Sequence, residues 1–132
     1  MSPELDKQFC KDFPNLFKDR HGDPRTTCLC FGIEFEKGWA DLLRELCVKI
    51  SEIDKTVYFV QLKEKFGTMR AYISGVSSEN YDKIYEIIHE AEDKSATICE
   101  DCGKPGELRN DLSWIRTLCQ DHYKQACKNL KK

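Results

Sequence analysis

Two short pairs near the C-terminus constrain this chain more than any other feature: Cys99-x2-Cys102 and, after 16 intervening residues, Cys119-x2-His122. Two thiolates two residues apart reach one ion when the backbone between them turns tightly, and Gly103, directly after the second thiol, supplies the positive φ of such a knuckle. Pro105-Gly106 opens a further turn, and the residues from Glu107 to Leu118 are enough for a short hairpin. CQDHYKQACKNLKK then has helical character, with lysines at its C-terminal end. A knuckle, a hairpin and a helix carrying Cys119 and His122 close a tetrahedron, so residues 97–132 are expected to form a treble-clef-like zinc module. One Zn²⁺ is expected on Cys99, Cys102, Cys119 and His122. Its four places are filled, three of them by thiolates that blunt Lewis acidity, so the metal is expected to be structural rather than catalytic. A deaminase would need His-x-Glu upstream of the Cys pair, and neither His21-Gly-Asp nor His89-Glu fits.

The chain has eight cysteines, whose meaning depends on the compartment. Its N-terminal stretch, MSPELDKQFCKDFPNLFKDRHG, is charged throughout and lacks the apolar core of a secretory signal, so a reducing cytoplasm is expected. In that setting, closely spaced thiols indicate metal before disulfide. Cys28-x-Cys30, completed by His21 or Cys10, is an open alternative for a second ion. Cys47 falls among apolar helix positions and is expected in the core.

A length of 132 residues suits one compact domain or one domain with a small metal-stapled appendage. No apolar run approaches the ~20 residues that span a bilayer, so no membrane partner is expected. Residues 1–37, punctuated by Pro3, Pro14 and Pro24, are expected as an irregular lead-in with at most one short helix. Residues 38–96 are expected as an α-β-β-α core. Trp39, Leu42, Leu43, Leu46, Cys47 and Ile50 share one helical face. TVYFVQLKEKFGTMRAYISG is β-rich and turns near Lys65–Thr68. Tyr81, Ile84, Tyr85, Ile88 and Ala91 mark a second helix, with Ser77 or Ser78 as its N-cap and His89 on its surface. The fold class is therefore α+β: a small antiparallel sheet with two helices, plus the zinc module. Trp114 has too little module around it to be buried locally and is expected to anchor the module to the core.

Charge is spread unevenly. Residues 56–75 hold Lys63, Lys65 and Arg70 against Glu64 alone, whereas residues 76–98 hold six acids against Lys83 and Lys94. On an extended strand Lys63 and Lys65 share a face, and a fold-back at Gly67 lets Arg70 join them in a cationic patch for a phosphate or a carboxylate-rich surface. The plain alternative is a solvated polar face neutralised by Glu64 or by acids of the second helix. A second basic group, Arg109, Arg116, Lys124, Lys128, Lys131 and Lys132, surrounds the metal ligands, which keeps nucleic acid open as a partner. Against it stands a formal net charge of −2.

With GW at 38–39, QLKEKFGTMR at 61–70 and CEDCGKPGELR…SWIRTLCQDH at 99–122, the chain resembles a family of small bacteriophage and bacterial proteins that carry these motifs in this order. The resemblance covers residues 28–122. It implies a phage or prophage accessory protein acting inside a bacterial cell, with zinc on Cys99, Cys102, Cys119 and His122. No phosphate loop, nucleophile elbow or His-Glu-x-x-His helix occurs, so a non-enzymatic role is expected. The leading expectation is a zinc-stabilised binding module for a host or defence protein or an anionic ligand. A nucleic-acid-binding zinc-finger protein and a zinc-stapled nuclease-like enzyme are the alternatives.

Overall fold

A computed structural model describes residues 1–130, so Lys131 and Lys132, and the last residues of the expected 97–132 module, lie outside the described residues. Nine regular elements follow one another: α1 (Pro3–Asp12), β1 (Ile33–Glu34), α2 (Ala40–Ile53), β2 (Tyr58–Lys65), β3 (Thr68–Ser74), α3 (Tyr81–Ser95), β4 (Glu107–Arg109), β5 (Arg116–Leu118) and α4 (Gln120–Leu130). The class is α+β.

The expected hairpin is present, and its register is set by a two-residue turn. Lys65 pairs with Thr68, while Phe66 and Gly67 take φ of 54° and 84°, the left-handed pair that matches the twist of the flanking strands. A bulge between Phe59 and Gln61 changes the alternation in β2. Phe59 and Leu62 both point into the core as a result.

To this hairpin the structure adds a third strand. β1 pairs in parallel with β2, Ile33 beside Leu62 and Glu34 beside Lys63, giving the order β1-β2-β3. The segment expected to be irregular also supplies α1, whose start follows ordinary capping chemistry. The Ser2 hydroxyl accepts the Leu5 N–H at 3.3 Å, and Pro3 stands at the first helical turn, where its missing N–H costs nothing. Phe9, Leu16, Phe17, Leu29, Ile33 and Phe35 then join the same buried cluster as α2, α3 and the sheet. Phe17 meets Phe59 edge-on at 5.4 Å, and Phe35 meets Trp39 likewise at 5.4 Å.

Every apolar position expected on α2, from Trp39 to Ile50, is buried. α3 packs against α2 and β3 through Ile84, Ile87, Ile88 and Ala91, while Tyr81 is exposed and Tyr85 half-buried. α3 also covers the open edge of the sheet. The Ser95 hydroxyl accepts from Met69 N–H at 2.8 Å and the Glu92 carboxylate from Ala71 N–H at 3.1 Å, so outward amides of β3 are satisfied without another strand. Neither expected serine caps this helix through its side chain. Asp54, at the end of α2, does the work from a distance, accepting from the Ser77 N–H at 2.9 Å and from the Asn80 amide at 3.1 Å.

Candidate functional site: a metal centre and a basic sheet face

β4 and β5 form the expected short hairpin, and α4 begins directly after Cys119. Among the described residues, the buried apolar cluster around this hairpin is Cys99, Leu118 and Cys119, with Cys102, Leu112, Tyr123 and Ala126 packed at its edge. So small a cluster cannot close a fold by hydrophobic burial alone, and a staple is required.

The geometry provides one. Gly103 N–H returns to the Cys99 carbonyl at 2.9 Å with φ of 83°, and Cys99 N–H reaches the Lys104 carbonyl at 2.8 Å, which together form the knuckle. Tyr123 N–H reaches the Cys119 carbonyl at 2.9 Å, placing Cys119 and His122 on the first turn of α4. The four ligand atoms lie within 4.8 Å of one another. His122 Nδ1 is 3.2 Å from Cys119 Sγ and 3.6 Å from Cys99 Sγ, and Cys102 and Cys119 Sγ are 3.8 Å apart. A tetrahedral ion with the usual Zn–S and Zn–N lengths would separate its ligands by about 3.6–3.8 Å, so the donor set fits a metal ion. The electrostatics agree. The His122 backbone N–H, followed by contacts with the His122 ring and the other two thiols, holds the Cys119 thiol down at about 6, whereas burial raises that of Cys102.

The second candidate ion site is not assembled. Cys28 is exposed, the Cys30 thiol turns to the Thr27 carbonyl at 3.3 Å, and the Cys10 thiol faces Asp6 at 3.9 Å. Asp6 itself is held by Arg20 at 2.8 Å. Among the described residues, Cys99, Cys102, Cys119 and His122 form the single metal-competent group. Cys28-x-Cys30 gathers no further ligand, Cys28 standing exposed while the Cys30 thiol turns back to the Thr27 carbonyl, something that spacing alone does not register.

The metal hairpin is docked on the core at two places, and these coincide with the GW and KEKFG stretches. At the first, Gly38 N–H donates to the Glu100 carbonyl at 2.7 Å, the Trp39 indole N–H to the Ile98 carbonyl at 2.8 Å, and Glu36 N–H to the Glu100 carboxylate at 3.1 Å. Burial pushes the Glu100 carboxyl up to about 6. At the second, the buried Thr117 hydroxyl donates to the Gly67 carbonyl at 2.7 Å. Trp114 corrects its expectation in part. It is 55% exposed, and it bridges to the core through its indole N–H, which reaches Glu64 at 2.9 Å. Its short hairpin leaves the ring on the outside, and Trp39 fills the buried anchoring role instead.

The β2–β3 hairpin also brings the three expected basic residues to one face, Lys65 exposed and Lys63 and Arg70 half-buried. Lys63 pairs directly with Arg70, and Lys65 lies one pair further along the same face. Glu64 does not neutralise them, being on the opposite face and engaged with Gly67 N–H at 2.7 Å and Trp114. Among the described residues no carboxylate lies within ion-pair reach of Lys63, Lys65 or Arg70, and the buried Nε of Arg70 has no hydrogen-bond partner. Two like charges directly opposite each other destabilise a sheet by roughly a few tenths of a kcal/mol. Glu34, beside Lys63 on β1, is the one acid among the paired strand positions of this face.

The structure names the aromatic residues beside this patch, which sequence reasoning placed there without singling any out. Lys63 Nζ stands 5.7 Å from the Tyr72 ring centre, Lys65 Nζ 5.6 Å from that of Phe66, and Lys18 Nζ 3.8 Å from that of Tyr58. Tyr72 was within reach of the period-two argument, two residues after Arg70. Lys18 arrives from the N-terminal segment and was not.

The arginines near the metal are occupied. Arg116 pairs with Asp101 at 2.6 Å, and Arg109 lies over the Tyr123 ring at 4.3 Å while bonding the Leu118 carbonyl at 3.3 Å. Lys124 and Lys128 stand exposed on α4, and His89 is exposed on α3 as expected. Among the described residues no helix is long and apolar enough to cross a membrane. Comparison of the chain with family models, curated proteins and solved structures finds no match.

Proposed function

We propose that this protein is a zinc-stapled, non-enzymatic binding module that offers the outer face of its β2–β3 hairpin to an anionic partner. The observation that carries the reading is the Lys63–Arg70 cross-strand pair, two cations side by side with no carboxylate in ion-pair reach. A fold keeps such a locally unfavourable pair where a ligand supplies the missing charge.

Three sulfurs and one imidazole nitrogen in tetrahedral spacing favour Zn²⁺, held in the treble-clef manner with no place left for substrate. The ion's role is then to close a module whose own core is too small, and through the contacts at Gly38 and Gly67 to hold the hairpin rigid. In keeping with the motif resemblance, the protein acts as a phage-type accessory protein in the reducing cytoplasm of a bacterial cell, and its partner is a host or defence component.

The test has two arms. Elemental analysis of protein purified without added metal should give one zinc per chain; a stoichiometry near zero, with the fold unchanged in chelator, removes the staple. Affinity capture from infected cells should lose its anionic partner when Lys63 and Lys65 are both changed to Glu with the circular dichroism preserved. Undiminished capture places the binding surface elsewhere.

A further inference from the structure

We propose that the solvent-facing side of the three-stranded sheet binds single-stranded nucleic acid, with Tyr72 as the stacking platform and Lys63, Lys65 and Arg70 as the phosphate contacts. The proposal rests on the reading of the hairpin as the binding face and goes further by naming the ligand's chemistry.

Cations alone would suit any anion, including an acidic polypeptide. The rings narrow the choice. Tyr72 is 42% exposed on the face itself and Phe66 is 56% exposed at the hairpin tip, each with a lysine ammonium beside its ring. An acidic peptide gains little from an exposed aromatic face, whereas a base stacks on it, and the neighbouring ammonium is then placed for the adjoining phosphate. In the ladder, Tyr72 lies opposite Gln61 and Arg70 opposite Lys63, so the ring stands directly beside the cationic pair on the same face. Tyr58, paired with Ser74, stands two residues along and one strand across from Tyr72, about 8 Å away from strand spacings, and the Lys18 ammonium covers its ring, so this position brings a further cation to the face rather than a second open platform.

The shape argues for an unpaired strand. The face is a short open sheet, and among the described residues no basic helix belongs to it that could enter a groove of a duplex. Stacking also needs bases that are free of their neighbours. Four cations, Lys18, Lys63, Lys65 and Arg70, meet Glu34 on this surface, while the acids of α3 are carried on the helix that covers the other side and the β3 edge. The overall charge of −2 therefore does not describe the face.

The measurement is fluorescence anisotropy of the intact, zinc-loaded chain with labelled 12-nucleotide DNA and RNA single strands, the matching duplex, and labelled polyglutamate, over a range of salt. Single strands should bind, with the duplex and polyglutamate weaker. Tyr72→Thr, which keeps strand propensity but removes the ring, should weaken single-strand binding about tenfold, and Tyr72→Phe should restore it. Lys63→Gln should flatten the dependence of log affinity on log salt by about 0.7, the value of one phosphate on a single strand. Tyr81→Ala, an exposed ring on the acidic helix, should change nothing. The proposal is overturned if single strands fail to bind at low salt, or if Tyr72→Thr binds as tightly as the parent. It is equally overturned if polyglutamate binds as well as the oligonucleotides. If polyglutamate alone binds, and loses affinity when Lys63 and Lys65 are changed to Glu, the anionic binding face stands and only its nucleic-acid specificity falls; if neither probe binds, both readings fall.

Discussion

Gly38 and Cys99, 61 positions apart in sequence, are pressed together so closely that a Cβ on Gly38 would overlap the carbonyl oxygens of Cys99 and Glu100. The Gly38 N–H uses this proximity to donate to Glu100 at 2.7 Å. The residue after Gly38 is the fully buried Trp39, and the residue at the far side of the contact belongs to the Cys99, Cys102, Cys119 and His122 group, which could hold a metal ion. The metal centre is thus seated on the core through backbone, where no side chain can yield. Gly38→Ala should therefore cost about 3 kcal/mol in urea unfolding, and it should weaken zinc retention against a competing chelator. Wild-type stability in this variant would show that the two parts are not held by this contact.

The two tryptophans should behave oppositely. Trp39→Phe keeps most of the buried ring but orphans the Ile98 carbonyl, with an expected cost of about 2 kcal/mol. Trp114→Ala removes a half-exposed ring and one bond to Glu64, and about 1 kcal/mol is expected in the same unfolding assay.

Asp54 should impose a pH dependence of stability. The Thr56 hydroxyl, then the Ser77 and Thr56 backbone N–H groups, hold its carboxyl well below the ordinary value of 3.8. A folded-state value below the unfolded one means stabilisation that is present above the unfolded value and is lost as pH falls toward the folded one. Unfolding of the parent should lose about 2 kcal/mol between roughly pH 5 and pH 2 from this group, and Asp54→Asn should lose a similar amount at neutral pH while showing less of that acid dependence.

Relief of the like-charge pair gives a separate readout. Lys63→Gln should raise stability by roughly a few tenths of a kcal/mol while weakening anion binding. A loss of stability would mean that the ammonium has a structural partner on this face.

Thiol reagents should distinguish the cysteines outside the metal group. Cys28 is exposed and should be modified quickly in the native state, whereas Cys47 is fully buried, its thiol pushed far up by desolvation, and should react only on unfolding. Mass mapping after a short pulse checks the order.

The clustering of Cys99, Cys102, Cys119 and His122 was legible in the sequence because ligand spacing is local chemistry: a knuckle of four residues and one turn of helix bring each pair together whatever the rest of the chain does. The buried face of α2 and the place of the hairpin turn were legible for the same reason, one through the 3.6-residue period and the other through Gly67, whose freedom at positive φ suits a tight turn. Tertiary structure alone decided the rest. β1 is two residues long, and its pairing with β2 is parallel and distant, so no local period announces it. The N-terminal segment joins the core because Phe17 meets Phe59 of β2, and Phe9 and Phe35 enter the same buried cluster as α2, α3 and the sheet, although Phe9–Phe17 and Phe35–Trp39 are contacts between residues close in sequence. Whether Trp39 or Trp114 would be the buried anchor depended on which surface the metal hairpin met, and hence on a close approach at Gly38 that becomes visible only when both backbones are in place. The meeting of Lys63 with Arg70 was legible from the period of two and the fold-back at Gly67, whereas the arrival of Lys18 on Tyr58 was not, because it depends on a bulge in β2 and on a distant segment, and neither is a property of a short stretch of sequence.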